Sequence, residues 1–133
     1  MKKIFISIFF ILVILTMTAC SANSLEGACA EADKMVSSWD SQKTAGCSYT
    51  YEYDAEDNLY IVAAKAGSEY YGDDSRLYDA TTQVIAQTVR DELYPKLEKT
   101  LSKYDVDIAI GIYDYNNEMY CCIYNGNIEY GND

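Results

Sequence analysis

Residues 106–124 read VDIAIGIYDYNNEMYCCIY, and the alternation in this stretch decides the fold class. Val106, Ile108, Ile110 and Ile112 occupy every second position, interleaved with Asp107, Ala109, Gly111 and Tyr113. A period of two sends successive side chains to opposite faces of a strand. Asn116-Asn117 separates this run from a second one ending at Tyr124, and paired asparagines accept the positive φ angles of a two-residue hairpin turn. Pairing across that turn sets Tyr115 opposite Glu118, Ile112 opposite Cys121 and Ile110 opposite Ile123. One face then carries Val106, Ile108, Ile110, Ile112, Met119, Cys121 and Ile123. The other carries Tyr113, Tyr115, Tyr120, Cys122 and Tyr124. Asn125-Gly126 ends the strand, and Ile128 and Tyr130 would add a short edge piece.

Working towards the N-terminus, residues 75–101 carry Leu77, Thr81, Val84, Ile85, Thr88, Val89, Leu93, Leu97 and Leu101 at helical spacing. Asp74 or Ser75 would cap this helix after a loop over 67–74. Pro95 has no N–H to give, so the helix should bend or break near Tyr94. Cys47-Ser-Tyr-Thr-Tyr-Glu-Tyr-Asp54 alternates strictly, and the polar turn 54–58 leads into the β-prone run Leu59 to Ala66. In this first hairpin Tyr53 would face Tyr60, Tyr51 would face Val62 and Tyr49 would face Ala64, with the tyrosine face inward. Before it, Ala28, Ala32, Met35, Val36 and Trp39 form the apolar stripe of a helix over roughly 26–39. The predicted order is α-ββ-α-ββ, an α+β fold with a four-stranded antiparallel sheet and two helices on one face.

The first residues belong to a different kind of segment. Lys2 and Lys3 precede an apolar run from Ile4 to Thr16, followed by Met17-Thr18-Ala19-Cys20. A basic start, a short apolar core and small residues at a cut site make an export signal. The run falls short of the ~20 residues of a membrane-spanning helix. It resembles the bacterial lipoprotein signal, whose lipobox ends in a small residue followed by the lipidated cysteine. Met17 stands where leucine is commoner in that pattern. The resemblance covers residues 1–20 and implies a diacylglyceryl group on the sulfur of Cys20, which becomes the first residue of the exported chain. The organisation it implies is a signal peptide over 1–19, an acylated Cys20 with a short tether to residue 25, and one acidic domain over 26–133. The chain would then sit on the outer face of the bacterial cell membrane, held by lipid. The alternative is ordinary secretion with cleavage after Ala22.

Composition narrows the partners. Loss of Lys2 and Lys3 takes the net charge from −11 to −13. Nucleic-acid phosphates are bound by Lys and Arg, so this acidity argues against nucleic acid. There are fourteen tyrosines, while all three phenylalanines, Phe5, Phe9 and Phe10, lie in the signal segment. Tyrosine therefore supplies most of the aromatic bulk of the domain, and buried hydroxyls need partners.

The chemistry is equally bounded. The chain has no histidine, which removes Ser-His-Asp and Cys-His sites in their usual forms and zinc sites that use imidazole. No Gly-rich phosphate loop occurs. The acidic stretch from Asp54 departs from a calcium EF-hand loop, with Leu59 where glycine is needed and Lys65 where glutamate is needed. Four cysteines follow Cys20 and allow three pairings. Cys121 and Cys122 are neighbours in a strand and point apart. Cys29 and Cys47 form a candidate bridge, the alternative being four reduced, packed thiols. No catalytic residue, cofactor or metal site is assigned. Tyr113, Tyr115, Tyr120 and Tyr124 form the candidate binding face, suited to an envelope glycan or a protein partner. The rival reading is a small envelope enzyme working with carboxylates alone, such as a glycan hydrolase. The expected result for chain extracted from its native membrane is an intact mass that begins at Cys20 and includes acyl groups. A mass beginning at Asn23 without lipid would establish the secreted form.

Overall fold

The structure, a computed structural model, describes residues 24–67 and 75–130, with side chains from Ala80 onward in the second segment. Cys20, the signal segment, most of the loop over 67–74, the capping of the second helix and the Leu77 side chain lie outside the described residues. Helix α1 spans Leu25–Gln42, and the Ser24 hydroxyl caps it by accepting the Gly27 N–H at 2.9 Å. Of its stripe, Ala28, Ala32, Val36 and Trp39 are buried and Met35 is half-buried at the edge of the core. Lys43, at φ 50°, ends the helix in the left-handed region, and a 3-10 turn over Thr44–Gly46 leads into the sheet.

Strands β1 (Cys47–Asp54) and β2 (Leu59–Ala66) pair antiparallel in the expected register, Tyr53 against Tyr60, Tyr51 against Val62 and Tyr49 against Ala64. The tyrosine face turns inward only in part. Tyr49 and Tyr60 are buried, but Tyr51 remains 42% exposed, because β1 is an edge strand with no described strand beyond it. Tyr49 packs edge-on against Trp39 with ring centroids 5.7 Å apart and donates its hydroxyl to the Thr44 carbonyl.

The second helical segment runs in three parts: α2 (Ser75–Thr88), a π-helical turn (Val89–Leu93) and α3 (Tyr94–Leu101). The disturbance expected from Pro95 is this turn. Tyr94 N–H reaches back five residues to the Val89 carbonyl. The wider turn relieves the clash a proline ring makes with the carbonyl four residues before it. It also corrects a phase error. Val89, Leu93, Leu97 and Leu101 are all fully buried at intervals of four, and in a plain α-helix each such step drifts by about 40°. The extra residue in the turn takes up this drift in the step from Val89 to Leu93. Val84, expected in the stripe, is instead 60% exposed, and Thr82 and Ala86 are buried beside Ile85.

The sheet corrects the predicted architecture. It has five strands in the order β1-β2-β3-β4-β5 and is mixed. Strands β3 (Asp107–Tyr113), β4 (Met119–Tyr124) and β5 (Asn127–Tyr130) form an antiparallel meander, so the element order is α-ββ-α-βββ. The joint between the halves is parallel, Leu59 pairing with Asp107 through to Lys65 with Tyr113. A helix-linked crossover brings the next strand back in the same direction. An all-antiparallel sheet is therefore excluded once β3 lies beside β2. The edge piece expected at Ile128 and Tyr130 is β5.

In the second hairpin Ile112 faces Cys121 and Ile110 faces Ile123, as expected, but the turn differs. Asp114 N–H donates to the Glu118 carbonyl, closing a loop over 115–117 in which Asn117 takes φ 67°. The buried Asp114 carboxylate accepts the N–H groups of Asn116 and Glu118. The extra loop residue creates a bulge after Ile112, so Tyr113 pairs with Met119 and not with Tyr120.

Two asparagines at positive φ hold the start of β3. Asn58 (φ 49°) donates from Nδ2 to the carbonyls of Tyr104 and Asp105 and accepts the Tyr53 hydroxyl, while its own carbonyl accepts Asp107 N–H. Asn125 (φ 48°) accepts Ile108 N–H on Oδ1 and donates to Asp107. Replacing Asn58 by Ala removes its side-chain hydrogen bonds and forces a Cβ residue without compensating polarity into the left-handed region. The expected loss is about 3 kcal/mol in denaturant unfolding. Asn58→Gly, which keeps the backbone angle easy, should lose about 1 kcal/mol less.

Candidate functional site

Both helices cover one face of the sheet. Under them lie Tyr60, Val62 and Ala64 of β2, Ile108, Ile110 and Ile112 of β3, and Cys121 and Ile123 of β4, all buried. The alternate residues form the other face, which no described element covers. Its centre is apolar: Ile61 and Ala63 of β2, Ala109 and Gly111 of β3, Cys122 of β4. Its rim is polar, with Ser48, Thr50 and Glu52 on β1 and Asn127 and Glu129 on β5.

The four candidate tyrosines take different positions. Tyr113 is half-buried and lies down over Gly111. A Cβ built on that glycine would stand 2.8 Å from Tyr113 Cε1 and 3.3 Å from Met119 Cε. Glycine is therefore what allows the ring to lie flat on the sheet. Tyr124, 40% exposed, stands towards the other end of the same face, paired with Ala109. The negative charge of Asp107 holds its hydroxyl in the protonated form to higher pH than usual. Tyr115, 40% exposed, sits at the tip of the β3–β4 turn, away from the centre. Tyr120 leaves the face: the bulge re-aims it, and its ring meets that of Tyr130 edge-on at 5.7 Å. Met119, assigned from the sequence to the covered face, takes its place and is 49% exposed. Alternation alone cannot signal this exchange, which depends on one extra loop residue.

The surface is thus a shallow floor of small residues with Tyr113 and Met119 at one end and Tyr124 at the other. Four strand positions separate Ala109 from Tyr113, about 13 Å. Ile61 and Ala63 complete the floor, and their part follows from the parallel β2–β3 joint.

Carboxylates gather elsewhere. Glu98, Asp105 and Asp107 line a cavity of about 380 Å³ with Tyr94 and Asn125. Two of them hold structure: Glu98 accepts the Tyr94 hydroxyl at 2.9 Å and Asp107 accepts Asn125 Nδ2 at 3.1 Å. In the 54–58 turn, the Asp54 carboxylate accepts the N–H of Glu56 at 3.0 Å. Among the described residues no cluster of three or more His, Cys, Asp or Glu is placed to hold a metal ion. An apolar hollow of about 360 Å³ lies between Ala45 and the flank of α2 at Val84, with no charged side chain in its lining.

The anticipated Cys29–Cys47 bridge is not made: both are free thiols, as are Cys121 and Cys122. Cys29 lines a cavity with Tyr53, six positions along β1 from Cys47. That strand length is about 20 Å, far beyond the ~6 Å Cα separation of a disulfide. Burial pushes the thiols of Cys47 and Cys121 up to about 11. Burial, followed by the charges of Asp33 and Glu129 respectively, also raises Cys29 and Cys122.

No family model, curated protein or solved structure matches the chain.

The thiols give two measurable outcomes. Iodoacetamide at pH 8 should label Cys29 and Cys122 slowly, and Cys47 and Cys121 only after unfolding, as read by peptide mass spectrometry. Because the folded chain keeps protons on Cys47 and Cys121 where the unfolded chain releases them, stability should be full below about pH 9. It should then fall as pH rises towards 11, seen as a decreasing melting temperature.

Proposed function

We propose that this chain is a membrane-anchored bacterial surface lipoprotein whose domain is a binding module without catalysis of its own. The observation that supports the reading is the open sheet face, an apolar floor between Tyr113 and Met119 at one end and Tyr124 at the other. Apolar surface left in water costs free energy in proportion to its area, and a contiguous exposed apolar patch is the usual mark of a contact surface. Flat tyrosine rings offer a stacking plane together with a hydroxyl for hydrogen bonding. That chemistry suits the pyranose rings of an envelope glycan and the side chains of a protein partner. The acidic charge directs the choice away from nucleic acid. The lipid anchor rests on the lipobox resemblance at Cys20 and would hold the domain at the outer face of the cell membrane.

Cys122 lies on the floor of this face and reports on it directly. Isolated cell envelope that binds the protein should slow alkylation of Cys122 while leaving Cys29 unaffected. Replacing both Tyr113 and Tyr124 by Ser should abolish envelope binding with the far-UV circular dichroism unchanged. A folded double variant that still binds would rule the face out. Digestion of glycan or of protein in the envelope before binding separates the two partner classes.

A further inference from the structure

A second surface is defined by backbone and not by side chains. Strand β1 is an edge of the sheet, eight residues long, free of proline and paired with β2 in an unbroken register. Tyr49 N–H points away from β2, since it donates to the Asp40 carboxylate of α1 at 2.9 Å. Alternation along an antiparallel strand then points the N–H and C=O groups of Tyr51 and Tyr53 outward as well. Among the described residues none bonds to them. Long, straight edges of this kind are templates for pairing, and proteins normally blunt them with bulges, proline or lysine. Here only the Cys47 end is blunted, by Asp40.

Two cavities lie between this edge and α1. One, of about 370 Å³, is lined by Asp33, Lys34, Ser37 and Tyr51 among others. The second, of about 400 Å³, is mainly apolar, lined by Leu25, Cys29, Ala30 and Tyr53 with the carboxylates of Glu26 and Asp33. Tyr51 and Tyr53 are two residues apart on one face of the strand, a spacing of about 7 Å. Alternate side chains of an extended peptide have that same spacing. Strand addition draws affinity from main-chain hydrogen bonds and specificity from pockets that take alternate side chains. The pockets share Asp33, and Glu26 lies in one of them. Glu52 flanks the edge on the open face of the sheet.

We propose that the outer edge of β1, with the two cavities between it and α1, is a strand-addition site for an extended, basic peptide segment of a partner protein. The peptide lies antiparallel or parallel to β1, bonded to the backbone of Tyr51 and Tyr53. One cationic side chain enters the second cavity beside Glu26 and Asp33, its methylene stem over Leu25 and Ala30, and its i+2 neighbour lies over the first cavity, where Lys34 offsets Asp33. Charge selects this occupant over a second copy of the chain, which carries a net −13 once the signal is lost and would bring it against Glu26, Asp33 and Glu52. The site is separate from the open face, because its contacts are made in the plane of the sheet and on the helix side.

The test uses the full-length chain in detergent and a ten-residue peptide alternating Lys with Val. Saturable binding is expected, together with slowed amide hydrogen exchange at Tyr51 and Tyr53. The same peptide N-methylated at alternate backbone nitrogens keeps its charge but cannot pair as a strand, and should bind at least tenfold more weakly. Asp33→Asn, which retains an acceptor for the Tyr60 hydroxyl bonded there, should weaken the unmethylated peptide by several-fold. Equal binding of the methylated peptide, or of a Glu-Val counterpart, overturns the proposal, as does the absence of saturable binding. Protection of Tyr51 and Tyr53 that rises with protein concentration in the absence of peptide would assign the edge to a second copy and overturn it equally.

Discussion

The parallel joint between β2 and β3 is the constraint on which the rest of this fold depends. It brings two locally formed hairpin units into one sheet, and a parallel joint has no turn to set its register. Two asparagines take over that task. Asn58 ties the end of the first hairpin to the chain entering β3, and Asn125 ties the β4–β5 turn to the same entry point. Both sit at positive φ, where asparagine is tolerated better than most residues. With the register fixed, Tyr60, Val62 and Ala64 fall in line with Ile108, Ile110 and Ile112, and the helices close over a single apolar sheet face.

The joint also creates the two surfaces proposed above as binding sites. Placing β3 beside β2 leaves β1 outermost on one side, with its backbone turned to solvent. The open face gains its floor from three strands, since Ile61 and Ala63 come level with Ala109 and Gly111, and Lys65 with Tyr113, only through the parallel pairing. One surface offers hydrogen-bonding groups in the plane of the sheet. The other offers apolar area above that plane. The two surfaces differ in chemistry, and neither is part of the buried core.

Local patterns were legible in the sequence wherever one element decides its own outcome. The alternation of residues 47–54 yields the register of the first hairpin, and that of 106–112 yields the buried face of β3. The stripe of α1 lies in or against the core as its period requires, and Pro95 marks the π-helical turn to within a residue or two. What the sequence did not show depends on elements far apart. The parallel joint is set by side-chain hydrogen bonds of Asn58 and Asn125, which no periodicity records. The exchange of Tyr120 for Met119 on the open face follows from a bulge whose cause is the Asp114 carboxylate gathering its own turn. The Cys29–Cys47 pairing failed because closeness in sequence says nothing about which end of β1 the start of α1 approaches.

The joint also has a temporal side. Each hairpin closes over a handful of residues, whereas Leu59 and Asp107 must meet across 48 positions of chain. Loop closure of that length carries an entropic cost before any contact rewards it, and non-local pairings of this sort slow folding. The two hairpins and α1 can therefore mature early, while docking of β3 against β2 sets the overall rate. Until it happens, two apolar strands carry open edges. For a chain that would complete this step outside the cell, crowding at the exit from the membrane then matters as much as stability, because a neighbouring molecule can offer the same edge sooner than the chain's own second half.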